Sequence, residues 1–166
     1  MGGFESNEIP DWVREGFDAR TTLPRGPLED FPIPLEGLIT GAQSLVPKGG
    51  DPARYVVSAA CGESVAETMR FFAEYLPLAG YIVVGEGSIR ARRSFLVRGR
   101  RPSVELLVLR KPPFIGTLTV RPPDDDHQGT RIDVDMAHCH HPSMSDVADM
   151  AALQRNPDID WRRFSA

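Results

Sequence analysis

Cysteine is scarce in this sequence, with only Cys61 and Cys139 among 166 residues. At most one disulfide can form, which excludes the disulfide-rich scaffolds of small secreted proteins. Long apolar runs are also missing, because no stretch approaches the roughly 18 residues of a membrane-spanning helix. The start, MGGFESNEIPDWVREGF, lacks the basic and apolar segments of a signal peptide. We therefore expect a cytoplasmic protein without a membrane span, whose cysteines stay reduced.

Basic charge does not dominate the composition either. The chain has 19 Lys and Arg against 23 Asp and Glu, for a formal net charge of -4. This balance disfavours wholesale binding of nucleic acid. The G-x-S-x-G pattern of a nucleophile elbow is missing, and GEGS at 85–88 lacks the lysine of a phosphate-binding loop. The sequence indicates no reaction, so we assign no catalytic residue.

The composition divides the chain into three regions. Residues 1–36 hold five prolines, which remove backbone donors at intervals that neither a long helix nor a central strand tolerates. We predict that this region is an extended acidic arm. Residues 37–141 are predicted to form the main domain, and 142–166 a short helix with a tail. The short helix is predicted from the helical spacing of Val147, Met150, Ala151 and Gln154.

The main domain begins with a predicted hairpin and helix. LITGAQSLV and RYVVSAA flank the turn cluster PKGGDP, which is typical of a hairpin with a long loop. In ESVAETMRFFAEYLPLAGY, the spacing of Ser64 and Glu67 fits a capping box at a helix start. Pro77 and Gly80 predict a helix end near residue 76. The residues at helical spacing on one face are Val65, Met69, Phe72, Ala73 and Leu76.

Extended runs with short turns follow the helix. They are YIVVG, RSFLV, VELLVLR, FIGTLTV and TRIDVDM, which together predict an antiparallel meander. We therefore predict an α+β fold. Its antiparallel sheet has about five to six strands, with one main helix on one face, an extended N-terminal arm and a short C-terminal helix.

The stretch from FPIPLEGLITGAQSLVPKGG through RFFAEYLPLAGY to the following strands resembles a module that is frequent in uncharacterised bacterial proteins and lipoproteins. In that module a hairpin precedes a helix that ends in an aromatic–Leu–Gly–aromatic phrase. The resemblance covers about residues 31–136 and implies the same α+β fold. It implies no catalytic residues, and the lipidation signal of the lipoprotein version is missing here.

A histidine cluster, MAHCHHP, follows the last predicted strand. Strand alternation places His138 and His140 on one face, about 7 Å apart, close enough to share one zinc or similar ion. Further ligands would come from Cys139, His141, His127 or an aspartate. The sequence has no second cluster of the kind that zinc modules contain. We therefore prefer the alternative that Pro142 ends the strand and that the histidines lie in an exposed loop.

The charge is distributed unevenly along the chain. A basic stretch holds Arg90, Arg92, Arg93, Arg98, Arg100, Arg101, Arg110 and Lys111. We interpret it first as a solvated hairpin that discourages edge pairing, and alternatively as a surface for an anionic ligand or an acidic partner. Trp12 in PDWVREGF and Trp161 in IDWRRF lie near the two acidic ends. Each ring docks either on its own sheet or on a partner protein.

These patterns favour a non-catalytic binding or accessory protein. It would use a sheet face, the basic hairpin and the aromatic arms to engage a protein partner or a small anionic ligand. The sheet face opposite the main helix is the preferred place for that contact. A metal-dependent enzyme or metal-binding protein that uses the cluster at 138–141 is the alternative hypothesis.

Overall fold

The computed structural model describes residues 13–17, 23–47, 54–89, 103–138 and 150–165. These ranges contain eight strands and two helices. In chain order they are β1 (Val13–Phe17), β2 (Leu38–Pro47), β3 (Arg54–Cys61), α1 (Val65–Leu78), β4 (Ile82–Ile89), β5 (Val104–Lys111), β6 (Phe114–Arg121), β7 (Thr130–His138), α2 (Met150–Arg155) and β8 (Ile159–Phe164).

All eight strands belong to one antiparallel sheet, in the order β1-β2-β3-β7-β6-β5-β4-β8. The antiparallel α+β architecture predicted from the sequence is confirmed. The expected five to six strands are too few. The predicted hairpin is β2–β3 and the predicted meander is β4–β7, and the two join where β3 pairs with β7. The run RSFLV lies outside the described residues.

Both ends of the chain add a strand that the sequence did not predict. β1 lies in the region expected to be an extended arm, and it pairs with β2. β8 lies in the region expected to be a tail, and it pairs with β4. Each short strand is stabilised by backbone hydrogen bonds to its neighbour in the sheet. Because neither run shows clear alternation, the sequence alone does not predict these strands. α2, just before β8, confirms a short C-terminal helix in the described part of that region.

Helix α1 begins as its sequence predicts. Ser64 is the N-cap, and the backbone N–H of Glu67 donates to its Oγ at 3.2 Å. In return the Ser64 N–H donates to Glu67 Oε2 at 3.0 Å, which completes the capping box. The helix connects β3 to β4, which are separated in the sheet by β7, β6 and β5. α1 therefore crosses one face of the sheet.

The end of α1 differs from the prediction, because the helix continues through Pro77 to Leu78. Pro77 lacks the N–H of one helical hydrogen bond, and the helix ends one residue later. The chain then leaves through Gly80, whose φ of 86° is in the left-handed region. The Gly80 N–H donates to the carbonyl of Pro77, and the Tyr81 N–H to that of Leu76. These two bonds are the Schellman pattern of a helix end.

The core lies between α1 and the sheet. Thr68, Phe72 and Leu76 are buried on the inner side of the helix. Residues 23–34 cover the same sheet face beside α1, because the Phe31 ring packs on the Phe72 ring at 5.6 Å between centroids. The Tyr81 hydroxyl donates a hydrogen bond to the Pro27 carbonyl, which fastens this segment to the end of the helix. The candidate site lies on the same sheet face, over β4 and β5. It is on the side of α1 away from segment 23–34.

Candidate binding groove

A groove runs along the outer side of α1. The helix presents two neighbouring stripes of side chains, because residues four apart lie above one another. One stripe is the buried set described above. The other lines the groove and consists of Val65, Met69, Ala73 and Pro77. The helix therefore contributes one stripe to the core and a second, mainly apolar stripe to an open cleft.

Strands β4 and β5 form the floor of the groove. Glu86 and Leu107 are cross-strand neighbours there, and Val83 and Tyr81 lie toward the C-terminal end of α1. The cavity volume is about 580 Å³, within the roughly 300–1,000 Å³ of small-molecule sites. Burial raises the pKa of the Tyr81 phenol, so this lining group is uncharged at neutral pH. The C-terminal part of the groove is therefore apolar.

Strand β8 forms the outer wall through an irregularity in its pairing. Arg163 is opposite Glu86 and Trp161 is opposite Gly87, so Arg162 has no register partner on β4. An inserted residue of this kind changes which side chains share a face. Arg162 and Arg163 both reach Glu86 on the groove side. The rings of Trp161 and Phe164 instead meet each other, with centroids 4.8 Å apart.

The other end of the groove is charged. Arg162 donates to Glu105 Oε2 at 2.7 Å, to Ser88 Oγ at 2.8 Å and to Glu86 Oε1 at 3.4 Å. The hydrogen bond to Glu105 is the main cause of the raised pKa of Arg162. This cluster continues the groove toward the N-terminal end of α1, since Met69 and Glu86 line both parts. The groove therefore changes from apolar to ionic along its length.

A smaller polar cleft lies at the end of β3 and the beginning of β7. Its volume is about 350 Å³, and its lining includes Ser58, His127, Arg131 and Asp133. Ser58 donates to Asp133 at 2.7 Å, while the carboxylate of Asp124 holds both His127 and Arg131 at 2.9 Å. The Arg131 Nε is buried and has no hydrogen-bond partner among the described residues. The other polar contacts of this cleft are made within the protein, and the cleft is smaller than the groove, so it is the weaker candidate.

The histidines predicted from the sequence do not all lie together. His138 ends β7 and its ring meets the Phe114 ring edge-on, at 5.4 Å between centroids. His127 precedes the other end of β7, so roughly 25 Å of strand separates the two residues. Cys139, His140 and His141 lie outside the described residues. Within the described ranges, no group of three or more His, Cys, Asp or Glu side chains is arranged to hold a metal.

Most of the predicted partner surface also lies outside the described part of the chain. This applies to Arg90, Arg92, Arg93, Arg98, Arg100, Arg101 and Trp12. Trp161 is described, and its ring packs on its own sheet beside Gly85 and Gly87. Its Nε1 donates to the Leu153 carbonyl at 3.3 Å. The structure therefore has Trp161 in the home-docked arrangement.

The sequence interpretation did not identify the groove. It placed Val65, Met69 and Ala73 on one packing face, and Val65 and Met69 do pack partly against the core. The same three residues, together with Pro77, also line the groove. Arg163 was visible in IDWRRF but was passed over for the tryptophan. The bulge that turns Arg163 into the groove has no counterpart in the local sequence pattern.

Comparison with known proteins gives no relative from which a function could be carried over. The chain matches no protein-family model, no curated protein and no solved structure. In the part of the chain that the structure describes, neither helix is long and apolar enough to cross a membrane.

Proposed function

We propose that this chain is a non-catalytic binding or accessory protein whose ligand places an apolar body in the groove between α1 and β8. The observation that carries the proposal is the stripe of Val65, Met69, Ala73 and Pro77 above Leu107. Segment 23–34 and α1 cover much of this sheet face, but the groove stays open over β4. Its volume and mainly apolar lining support a ligand site.

The ionic groups of the groove support binding more than catalysis. Glu86 and Glu105 are both engaged by Arg162, and no imidazole or thiol lines the described groove. A general acid or base would need a proton-transferring group presented to the ligand. The cytoplasmic location, the basic partner surface at 90–101 and the aromatic arms remain parts of this proposal that are argued from the sequence.

Methionine methyl NMR tests the proposal at the groove itself. The chain has five methionines, of which Met69 lines the groove and Met136 is fully buried in the core. Titration with octanol, an uncharged alcohol with an aliphatic chain, should shift the Met69 methyl resonance. The Met136 methyl resonance should not shift. Ala73→Phe should block the change, because the exposed Ala73 position lies midway along the groove wall.

Ala73→Leu is a smaller obstruction at the same position, in case the larger side chain disturbs folding. An unmoved Met69 resonance up to the solubility limit of octanol would contradict the proposal. Equal movement in the wild type and in both variants would place the binding elsewhere and would contradict it as well.

A further inference from the structure

The two arginines of the groove wall are held very differently. Arg162 makes three contacts of 3.4 Å or less, to Ser88, Glu86 and Glu105. Among the described residues, Arg163 faces Glu86 Oε2 at 3.9 Å. That separation is too long for a hydrogen bond. The Arg163 side chain is also 58% exposed, so its guanidinium retains capacity for another acceptor.

The charge pattern around Glu86 favours one sign of ligand. A guanidinium has five N–H donors and no acceptor. Glu105 and Glu86 both accept hydrogen bonds from Arg162, so the donors left over in this cluster are mainly those of Arg163. A cationic group that bound Glu86 would compete with both arginines and would lie close to their positive charges. An anionic group could pair with Arg163 and leave the Arg162 network intact.

Resting on the proposed function, we infer that the groove selects a single-chain amphiphile with an anionic head group. The aliphatic chain lies against Met69, Ala73 and Leu107, and a carboxylate pairs with Arg163 at the mouth of the groove. The bulge in β8 is what makes this possible, because it brings Arg163 beside Arg162 on the groove side. Both the head group and the chain then have a defined partner in the protein.

Three probes with the same chain length separate the head group from the chain. Octanoate, octanol and octylamine are titrated into the full-length protein at pH 7, with the Met69 methyl resonance as the local measurement. Octanoate should bind about 1.5- to fivefold more tightly than octanol, the gain expected for one exposed ion pair. Octylamine should bind no more tightly than octanol.

Arg163→Gln should remove the advantage of octanoate over octanol, measured as the ratio of the two affinities in the same variant. Arg110→Gln is the matched control, because Arg110 is exposed on β5 and does not line the groove. An equal loss in both variants would indicate a general charge effect and would overturn the inference.

Tighter binding of octylamine would assign the head group to Glu86 and would also overturn it. Equal binding of octanol and octanoate, blocked by Ala73→Phe, would overturn the anionic preference while leaving the proposed function in place. Failure of all three probes to move the Met69 resonance would contradict the proposed function itself.

Discussion

Gly116 lies on β6, a central strand of the sheet, opposite Met136 of β7. A Cβ atom built on Gly116 would overlap the backbone carbonyl oxygen of Asp135 and would come within 2.7 Å of the Met136 sulfur. Backbone atoms of a central strand cannot give way as a flexible side-chain end can. Only glycine fits this position, although its φ is not in the left-handed region.

Gly116→Ala should therefore lower the free energy of unfolding by about 3 kcal/mol or more, the upper end of the cost of overpacking. Gly41→Ala is the matched control, since a Cβ there meets nothing within 4 Å. We expect the control to be neutral or slightly stabilising, because alanine loses less backbone entropy than glycine on folding. Urea denaturation measures both variants, and similar midpoints for the two would refute the close approach.

At the level of elements, the capping box of α1 connects stability to pH. The pKa of Glu67 is lowered mainly by the hydrogen bond from the Ser64 backbone N–H and then by that with the Ser64 side chain. A lowered pKa in the folded state means that folding favours the charged form. This contribution is complete above the unfolded pKa of about 4.3. It is lost as the pH falls through the lowered folded value.

Glu67→Gln keeps a side chain that occurs in capping boxes but does not titrate. The wild type should be more stable than Glu67→Gln at pH 7, and the difference should disappear at acidic pH. Glu74→Gln, an exposed position of the same helix outside the box, should show a smaller pH-dependent difference. Thermal melts from pH 3 to 7 give the comparison, and a difference that grows toward acid would contradict the argument.

The packing of Trp161 on β8 leads to a prediction about stability. A Cβ atom added at Gly85 or at Gly87 would lie 3.1 Å from the ring, so the two glycines provide the space that the ring fills. Trp161→Ala should lower the free energy of unfolding by about 2 kcal/mol, given roughly 25 cal/mol per Å² of apolar surface on a half-buried ring. Trp161→Phe, which retains most of that surface, should cost less. Unchanged melting of Trp161→Ala together with lost recovery of a partner would instead identify the ring as a docking anchor.

The elements that the sequence predicted are those with a local cause. The alternation in FIGTLTV and the Ser64–Glu67 spacing are patterns within a few neighbouring residues. The sequence could therefore predict β6 and the start of α1. β1 and β8 depend on pairing with distant strands, and a five- or six-residue run does not reveal its partner. The predicted end near residue 76 was two residues short, because the helix includes Pro77 and ends at Leu78.

At the scale of the whole molecule, the groove was the feature that the sequence predicted least, because it depends on how distant elements are arranged. It requires α1 to cross the sheet from β3 to β4, β8 to add itself beside β4, and a bulge to turn Arg163 inward. The pairing of β8 with β4, including its bulge, joins residues about 70 to 80 positions apart, which no local sequence pattern records. The sequence interpretation placed the ligand on the face opposite α1, because a helix was expected to cover its face completely. The crossing helix and segment 23–34 leave the β4 side open.

The length of β7 also limits which histidines could bind the same metal ion. His127 and His138 are at opposite ends of that strand, so one ion cannot be held by both within a single chain. The predicted zinc site at 138–141 therefore cannot include His127 as a ligand together with His138. His127→Ala becomes a matched control, because it removes an imidazole of this chain without touching the His138 end.

If the cluster binds metal, protein purified without an affinity tag or chelator should contain close to one equivalent of zinc or a similar ion. The double variant His138→Ala with His140→Ala should lose it, since removal of two ligands leaves too few for a tetrahedral site. His127→Ala should retain it. Elemental analysis of the three proteins decides the matter: metal-free wild type would support the exposed-loop interpretation. Equal loss in His127→Ala would contradict a site confined to one end of β7.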